Sequence, residues 1–241
     1  MLTDNMVLLN EFEGGQLFYR YDYYLFVPYE CDEYTKSSVY FAGGGGEPIL
    51  RHETIMKYLR NFQPNAVMLF FEGSGFKNMP YAIDKSFRIM SEVCYKRDIV
   101  IHDLIITGSS LGCATALRAC PYYYEKYNIT PVAMCSLDNA NDWETGKNLT
   151  PEEAEALAEA GTVCYLYEQS TDLGCKPVED LYESGVNIVM VKCRNYGHDA
   201  ITVDGFREGC FDSIWETKFN RKDYTPKWYF SRSKLFSNEL P

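Results

Sequence analysis

Short runs of apolar residues alternate along the chain with longer stretches in which apolar positions recur every three or four residues. The first pattern is typical of fully buried strands, and the second is typical of amphipathic helices. Strands are therefore predicted at residues 38–42, 66–71, 131–137, 162–167 and 187–193, together with one that begins at Leu104 and runs into a glycine turn. This alternation predicts an α/β architecture with a mainly parallel sheet and helices on both faces.

The start of the chain has a different pattern. Residues 6–13 and 16–28 are rich in aromatic and other strand-favouring side chains and are separated by Gly14 and Gly15. Two such runs around a glycine pair predict an antiparallel hairpin. Because there is no repeat, linker or low-complexity segment, we expect residues 1–241 to form a single domain.

Helices are predicted between the strands. They cover about 48–59, 80–96, a stretch after the glycine turn that ends near Cys120 and Pro121, 150–161, 177–184 and 206–219. The fourth helix has the clearest boundaries: Thr150 is a predicted N-cap, Pro151 occupies the first helical position and Glu153 completes a capping box. Gly161 is predicted to end it.

Composition narrows the possible partners. The net charge of −11 disfavours binding to nucleic acid or to an anionic membrane surface. No apolar run is long enough to span a membrane, and the first residues lack the basic and apolar regions of a secretory signal. The nine cysteines include several in apolar runs, so we expect reduced, buried thiols and a cytoplasmic protein. Those in apolar runs are Cys113, Cys135, Cys164 and Cys193.

The glycine turn carries the clearest chemical signal. Residues 108–112 read Gly-Ser-Ser-Leu-Gly and stand between an apolar strand and a helix-forming run. Gly-x-Ser-x-Gly in this setting is typical of a nucleophile elbow, in which a tight turn exposes the central serine. Gly108 and Gly112 would provide the space that the turn needs, and their spacing selects Ser110 rather than Ser109 as the nucleophile.

A serine nucleophile needs a base, and the chain has only three histidines. His52 falls within a predicted helix, and His102 lies at the opposite end of the strand that leads to Ser110. His198 follows the last predicted strand, so it shares the carboxyl edge of a parallel sheet with Ser110. We therefore predict His198 as the base.

Several carboxylates on the same edge could orient that histidine. The candidates between Ser110 and His198 are Asp138, Asp142, Glu168 and Asp172. Each follows a predicted strand, and each could instead cap a helix or face water.

Backbone N–H groups should stabilise the oxyanion that forms when the serine attacks. The N–H of Leu111 is one predicted donor, because it follows the nucleophile at the start of a helix. The second should come from the glycine run 43–46, with Gly44 and Gly45 as candidates; Gly73 and Gly75 form a similar loop one strand later. The run lacks the glycine spacing of a dinucleotide site.

Taken together, these motifs resemble the α/β-hydrolase fold superfamily, and the compact esterase-like members most closely. The resemblance extends from Val39 to Phe219 and rests on the glycine loop, the elbow, the carboxylate loop and Gly197-His198-Asp199. It implies a Ser110–His198–Asp172 triad, because that fold most often keeps its acid after the penultimate strand; Glu168 and Asp138 remain alternatives. It also implies that residues 139–160 are the only room for a lid, with no separate cap domain.

This resemblance implies a serine hydrolase that cleaves carboxylic esters through an acyl-enzyme, without a metal or cofactor. A short polar lid favours small soluble esters or acylated sugars. The same triad could serve a peptidase, thioesterase or acyltransferase, and a non-catalytic binding protein could keep the fold.

Two aromatic segments, 122–124 and 228–230, could stack on sugars or simply pack. The tail that contains the second segment could mediate oligomerisation.

Overall fold

One sheet of nine strands runs through the part of the chain that the structure describes. The structure is a computed structural model, and it describes residues 6–21, 23–32, 35–41, 55–56, 59, 66–71, 79–101, 104–109, 112–136, 149–168 and 181–192. The strands are β1 Val7–Phe12, β2 Gly15–Arg20, β3 Tyr23–Pro28, β4 Lys36–Phe41, β5 Ala66–Phe71, β6 Leu104–Ser109, β7 Val132–Ser136, β8 Val163–Glu168 and β9 Asn187–Lys192. The helices are α1 Met79–Lys96, α2 Gly112–Tyr127 and α3 Pro151–Glu159.

The strand order is β1-β2-β3-β5-β4-β6-β7-β8-β9. The first three strands pair antiparallel, and β3 joins the rest of the sheet by an antiparallel pairing with β5. From β4 to β9 every pairing is parallel. The predicted mainly parallel sheet with an antiparallel start is confirmed.

The parallel strands end together at one side of the sheet, which we call the carboxyl edge. Phe41 at the end of β4 pairs with Phe71 on one side and with Gly108 on the other, and Gly108 pairs with Cys135. Connections that leave these strands therefore start from the same edge, as in other open parallel sheets.

Helices α1, α2 and α3 share one buried core with one face of the sheet. Alternate residues of strands β3 to β8 contribute to this core, as strand geometry requires. The strand side chains in it include Val39, Phe41, Leu69, Ile106, Ala133 and Leu166. Alternate residues such as Phe26, Met68 and Ile105 are buried on the opposite face, and Ile55 and Leu59, in helical backbone, are buried as well.

The amino-terminal prediction of one hairpin was wrong in its second half. Residues 16–28 form two strands, because the chain turns between Arg20 and Tyr23, which pair with each other. Tyr21 in this turn has a φ of 50°, a left-handed conformation that a tyrosine rarely adopts. The extra strand, β3, connects the meander to the parallel sheet.

The helix after the glycine turn was predicted to end near Cys120 and Pro121, but it continues to Tyr127. Proline removes one helical hydrogen bond, yet the next turn buries Tyr123 completely. That burial outweighs the local preference to stop at proline. The helix ends at Asn128, which has a φ of 55° and donates its N–H to the carbonyl of Tyr124 at 2.8 Å.

Several other predicted elements are confirmed. The strand at 66–71 and the helix at 80–96 agree with β5 and α1 to within one residue. At α3 the predicted capping box is present, since Thr150 accepts from the N–H of Glu153 and Glu153 accepts from the N–H of Thr150. Parts of the helices predicted at 48–59 and 177–184, and all of that at 206–219, lie outside the described residues.

Candidate active site

The connection between β6 and α2 brings two backbone segments unusually close together. A Cβ added to Gly108 would lie 2.3 Å from the carbonyl oxygen of Gly112, 2.5 Å from its carbonyl carbon and 2.7 Å from the N atom of Cys113. Real Cβ atoms do not tolerate such distances from backbone, so only glycine fits at 108. The predicted need for glycine at this position is confirmed.

The first turn of α2 has an electrostatic character suited to developing negative charge. It contains no acidic residue, and its amino end points to the carboxyl edge because the helix follows β6. Free N–H groups and the positive end of the helix dipole are therefore unopposed by a carboxylate in that turn. The Sγ of Cys113 donates a hydrogen bond of 3.3 Å to the carbonyl oxygen of Gly108, across the connection.

At the carboxyl edge, residues from four strands lie in one row: the last residues of β6 and β7 and the last but one of β8 and β9. Ser109 pairs with Ser136, Ser136 with Tyr167, and Tyr167 with Val191. Glu168 ends β8 one residue beyond this row and pairs with Lys192. The segments that carry the predicted acid and base therefore leave the sheet from the edge at which β6 ends.

Most predicted site residues lie outside the described residues. These are Ser110, Leu111, His198, Asp172, Asp138, Asp142, Gly44, Gly45, Gly73, Gly75, His52 and His102. Of the predicted acids, the structure describes only Glu168, whose backbone lies at the carboxyl edge.

Three solved structures show how this architecture compares with known proteins. A structure from an analysis of two fungal esterases from Rhizomucor miehei has a TM-score of 0.58 and 18% identity, covering 89% of this chain and 82% of the other. A dienelactone hydrolase from Anabaena variabilis has a TM-score of 0.55 and 13% identity, covering 89% and 98%. Est1E from Butyrivibrio proteoclasticus has a TM-score of 0.53 and 12% identity, covering 87% and 98%. The chain has the α/β-hydrolase fold.

The sequence itself gives no further match. No protein-family model matches the chain, and no curated protein does. The likeness to the three α/β-hydrolase structures therefore concerns the fold. The motif at 108–112, which predicts a nucleophile elbow, stands between β6 and α2 of this fold.

Several buried cysteine side chains lie between α2 and the neighbouring strands of the sheet. All six cysteines that the structure describes are free, including Cys113, Cys120, Cys135 and Cys164, which are buried. The adjacent Cys113 side chain and burial raise the pKa of Cys135, and burial raises the pKa of Cys120 and Cys164. These three thiols therefore stay protonated and act as small apolar groups with a weak donor. Cys193, which is also predicted to be a buried thiol, lies outside the described residues.

No group of three or more histidine, cysteine, aspartate or glutamate side chains within the described ranges could hold a metal ion. Among the same residues, no helix is long and apolar enough to cross a membrane.

The aromatic segment 122–124 lies far from the carboxyl edge. Tyr123 is completely buried, and Tyr122 packs edge-on against Phe87 of α1 with its hydroxyl 3.2 Å from a carboxylate oxygen of Asp84. Ten residues separate Tyr122 from the start of α2, which corresponds to about 15 Å of helix. Tyr122 and Tyr123 therefore pack between helices, whereas 228–230 lies outside the described residues.

Helix α3, the described part of the proposed lid, packs into the helical layer. Ala154 and Leu157 are buried in the core shared with α1 and α2, and Glu153 accepts a 2.7 Å hydrogen bond from Nε of Arg118 on α2. Burial raises the pKa of Glu153, but the Arg118 hydrogen bond and charge and the N–H of Thr150 lower it by more. This helix is the crossover between β7 and β8, and residues 139–148 lie outside the described part.

Among the residues that the structure describes, the Cys113–Gly108 hydrogen bond is a feature of the candidate site that sequence reasoning did not predict. Cys113 was grouped with the buried structural thiols, and its burial is confirmed. A signal existed, because a small side chain with a donor follows Gly112 in the first turn of the helix. Its acceptor is a backbone carbonyl, which leaves no trace in the sequence.

Proposed function

We propose that this protein is a serine hydrolase that cleaves carboxylic esters through an acyl-enzyme intermediate. Ser110 attacks the ester carbonyl, and His198 takes the serine proton and returns it to the leaving alcohol. Asp172 orients the imidazole and stabilises its charged form. His198 then takes a proton from a water molecule, and the water oxygen attacks the acyl-enzyme carbonyl. The proton passes to the oxygen of Ser110 as the acid is released.

The observation that carries this proposal is the backbone contact at Gly108. Its Cα approaches Gly112 and Cys113 so closely that a side chain is excluded, and only Ser110 and Leu111 separate β6 from α2. A connection of this kind at the carboxyl edge of an α/β-hydrolase fold is where a nucleophilic serine belongs. The helix N-terminus behind it supplies N–H groups for the oxyanion, with Leu111 as the first proposed donor.

The segments that join β8 to Asp172 and β9 to His198 are long enough for both residues to reach Ser110. Strands lie about 4.8 Å apart, so β8 is about 10 Å and β9 about 14 Å from the end of β6. An extended chain covers about 3.3 Å per residue, so the segments from Glu168 to Asp172 and from Lys192 to His198 can reach about 13 Å and 20 Å. Both are long enough to meet at Ser110.

The second oxyanion donor is proposed at Gly44 or Gly45. The glycine run 43–46 follows β4, and β4 is the direct neighbour of β6 in the sheet. Phe41 at the end of β4 pairs with Gly108, so this run leaves the sheet beside the turn that carries Ser110. Glycine lets a backbone N–H approach a substrate closely.

We extend the proposal to substrate class, domain organisation and location. The similar structures are named as esterases and a dienelactone hydrolase, which favours ester carbonyls, and the short polar segment 139–148 favours small soluble esters or acylated sugars. We place residues 1–241 in a single domain without a separate cap. The free thiols of the described cysteines favour the cytoplasm as the working compartment.

A fluorophosphonate probe tests the nucleophile directly. We expect covalent labelling of the wild-type protein and of Ser109→Ala, and no labelling of Ser110→Ala. Ser109 is the matched control because it is the neighbouring serine in the same turn motif. Absence of labelling in folded wild-type protein would favour a non-catalytic binding protein with this fold.

Hydrolysis of p-nitrophenyl acetate tests the base and the acid. We expect His198→Ala to lower kcat by about 10³-fold or more, while His52→Ala and His102→Ala retain activity. Asp172→Asn should cost more than Glu168→Gln or Asp138→Asn, and a larger loss in either of the latter would move the acid to that residue. Peptide, thioester and acyl-transfer substrates assayed in parallel decide among the reactions that one triad can perform.

A further inference from the structure

Cys113 and Gly108 form a hydrogen bond that closes the connection between β6 and α2. The thiol Sγ of Cys113 lies 3.3 Å from the carbonyl oxygen of Gly108, within the normal range for a sulfur donor. Five positions separate the two residues, and Ser110 lies between them in the chain. The bond therefore joins the last part of the strand to the first turn of the helix.

This bond lies in the same place as the tightest backbone contact of the connection. The position of a Cβ on Gly108 would be 2.7 Å from the N atom of Cys113 itself. Backbone proximity and the side-chain hydrogen bond thus fix the same two segments relative to each other. Cys113 is only 3% exposed, so water does not compete for the carbonyl.

The thiol of Cys135 contacts the backbone of Cys113. The Sγ of Cys135 on β7 lies 3.8 Å from the carbonyl oxygen of Cys113 and donates to it. Cys135 is completely buried and pairs with Gly108 in the sheet. The thiols of Cys113 and Cys135 therefore lie where β6, α2 and β7 meet. The arrangement leaves little space for α2 to slide along β6.

We propose that Cys113 is a positioning residue for the serine nucleophile, and this rests on the function proposed above. By holding the carbonyl of Gly108 against the first turn of α2, its thiol fixes the direction in which Ser110 leaves the turn. Small errors in the orientation of a nucleophile lower kcat more than substrate binding. Loss of one hydrogen bond of this strength corresponds to about a 3- to 10-fold decrease.

Cys120 offers a matched control on the same helix. It is buried like Cys113, and its Sγ donates a hydrogen bond of the same 3.3 Å length, to the carbonyl oxygen of Ala116 within α2. Replacing it with alanine removes the same atoms and the same kind of bond without touching the connection to β6. A general loss of packing should therefore affect both variants equally.

The experiment compares Cys113→Ala, Cys113→Ser and Cys120→Ala for kcat and KM with p-nitrophenyl acetate and for hydrogen exchange in a peptide spanning 104–117. We expect Cys113→Ala to lower kcat about 3- to 10-fold with KM within twofold, and to speed exchange in that peptide. Cys113→Ser, which keeps a donor, should recover kcat to within twofold of wild type. Cys120→Ala should stay within twofold throughout.

The outcomes separate this proposal from the function on which it rests. An active wild-type enzyme with unchanged kcat in Cys113→Ala, or with equal losses in Cys113→Ala and Cys120→Ala, would overturn the positioning role and leave the hydrolase standing. A wild-type protein that is folded, unlabelled by fluorophosphonate and inactive on every ester would overturn both. In that case the exchange data still report whether the bond holds the turn.

Discussion

The two ends of α2 are built in opposite ways. At the amino end, Gly108 and Gly112 bring backbone against backbone with no room for a side chain, and the hydrogen bond across the contact comes from the small side chain of Cys113. At the carboxyl end, large rings fill the space between α2 and α1. Phe87 on α1 has its ring centroid within 6 Å of those of Tyr122, Tyr123 and Tyr127.

The difference separates two tasks that one helix performs. Backbone proximity at the amino end orients a short connection, which contributes little buried area but much geometric precision. Aromatic packing at the carboxyl end buries area and stabilises the helix, because each ring removes a large apolar surface from water. We therefore expect substitutions at the amino end to affect activity first and those at the carboxyl end to affect stability first.

Gly108→Ala should have the largest effect. The new Cβ would meet three backbone atoms of Gly112 and Cys113 at 2.3–2.7 Å, and α2 would have to move to accept it. We expect kcat/KM to fall at least about 100-fold and the free energy of unfolding to decrease by about 1–3 kcal/mol. Esterase assays and urea titrations measure the two quantities.

Gly161→Ala is the matched control for that substitution. Gly161 has a φ of 66°, but a Cβ there would meet only a methyl carbon of Thr130 at 3.8 Å. We expect a stability loss of about 1–2 kcal/mol from backbone strain, with kcat/KM unchanged. If Gly108→Ala behaved in the same way, the backbone contact would have no role in activity.

Tyr123→Ala should have the largest effect on stability at the other end. The side chain is completely buried, and its hydroxyl donates a 3.0 Å hydrogen bond to Ser86, which in turn donates to the carbonyl of Ile83. We expect a loss of about 3–5 kcal/mol in the free energy of unfolding. Per folded molecule, kcat should remain within twofold of wild type.

Tyr123→Phe separates the ring from the hydroxyl. It keeps the aromatic packing and removes the donor to Ser86, so we expect a loss of only about 1 kcal/mol. A large decrease of kcat in either Tyr123 variant, measured on fully folded protein, would contradict the separation of tasks along α2.

The same contrast shows which parts of the molecule could be predicted from sequence. The strand at 66–71 and the contact at Gly108 follow from local patterns, continuous apolar burial and a glycine motif. The turn at Tyr21 could not be predicted, because nothing local favours a tyrosine with positive φ. Pro121 was misleading, since the burial of Tyr123 that carries the helix past it depends on α1.

For the candidate site, sequence was informative where residue type decides the chemistry. Ser110, His198 and the carboxylates were chosen by motif, by elimination among three histidines and by strand order. The Cys113–Gly108 bond could not be found in this way, because one partner is a backbone atom. The contacts along α2 therefore need structure, whereas the proposal of Ser110 as the nucleophile rests on the sequence motif.

The middle of α2 tests where the boundary between the two tasks lies. Arg118 donates to Glu153 on α3 at 2.7 Å and to the Sδ of Met79 on α1 at 3.3 Å, and the pair is partly exposed. We expect Arg118→Met to lower the free energy of unfolding by about 1 kcal/mol, because partly exposed ion pairs contribute little. In esterase assays kcat/KM should stay within twofold, and a tenfold fall would extend the functional end of the helix to Arg118.

The last predicted effect is absent at neutral pH and is expected only at alkaline pH. Burial raises the pKa of Tyr127 to about 12, although its hydrogen bond with Ser91 lowers it in part. An unfolded tyrosine loses its proton near pH 10, so between pH 10 and about 12 the unfolded chain releases a proton that the folded protein retains. Stability is therefore complete below pH 10 and decreases through this window.

Urea midpoints at pH 8 and pH 11 should differ less in Tyr127→Phe than in wild type, whereas Tyr95→Phe, at an exposed position on α1, should behave like wild type. Equal pH dependence in Tyr127→Phe and wild type would show that the aromatic end of α2 does not depend on this protonated hydroxyl.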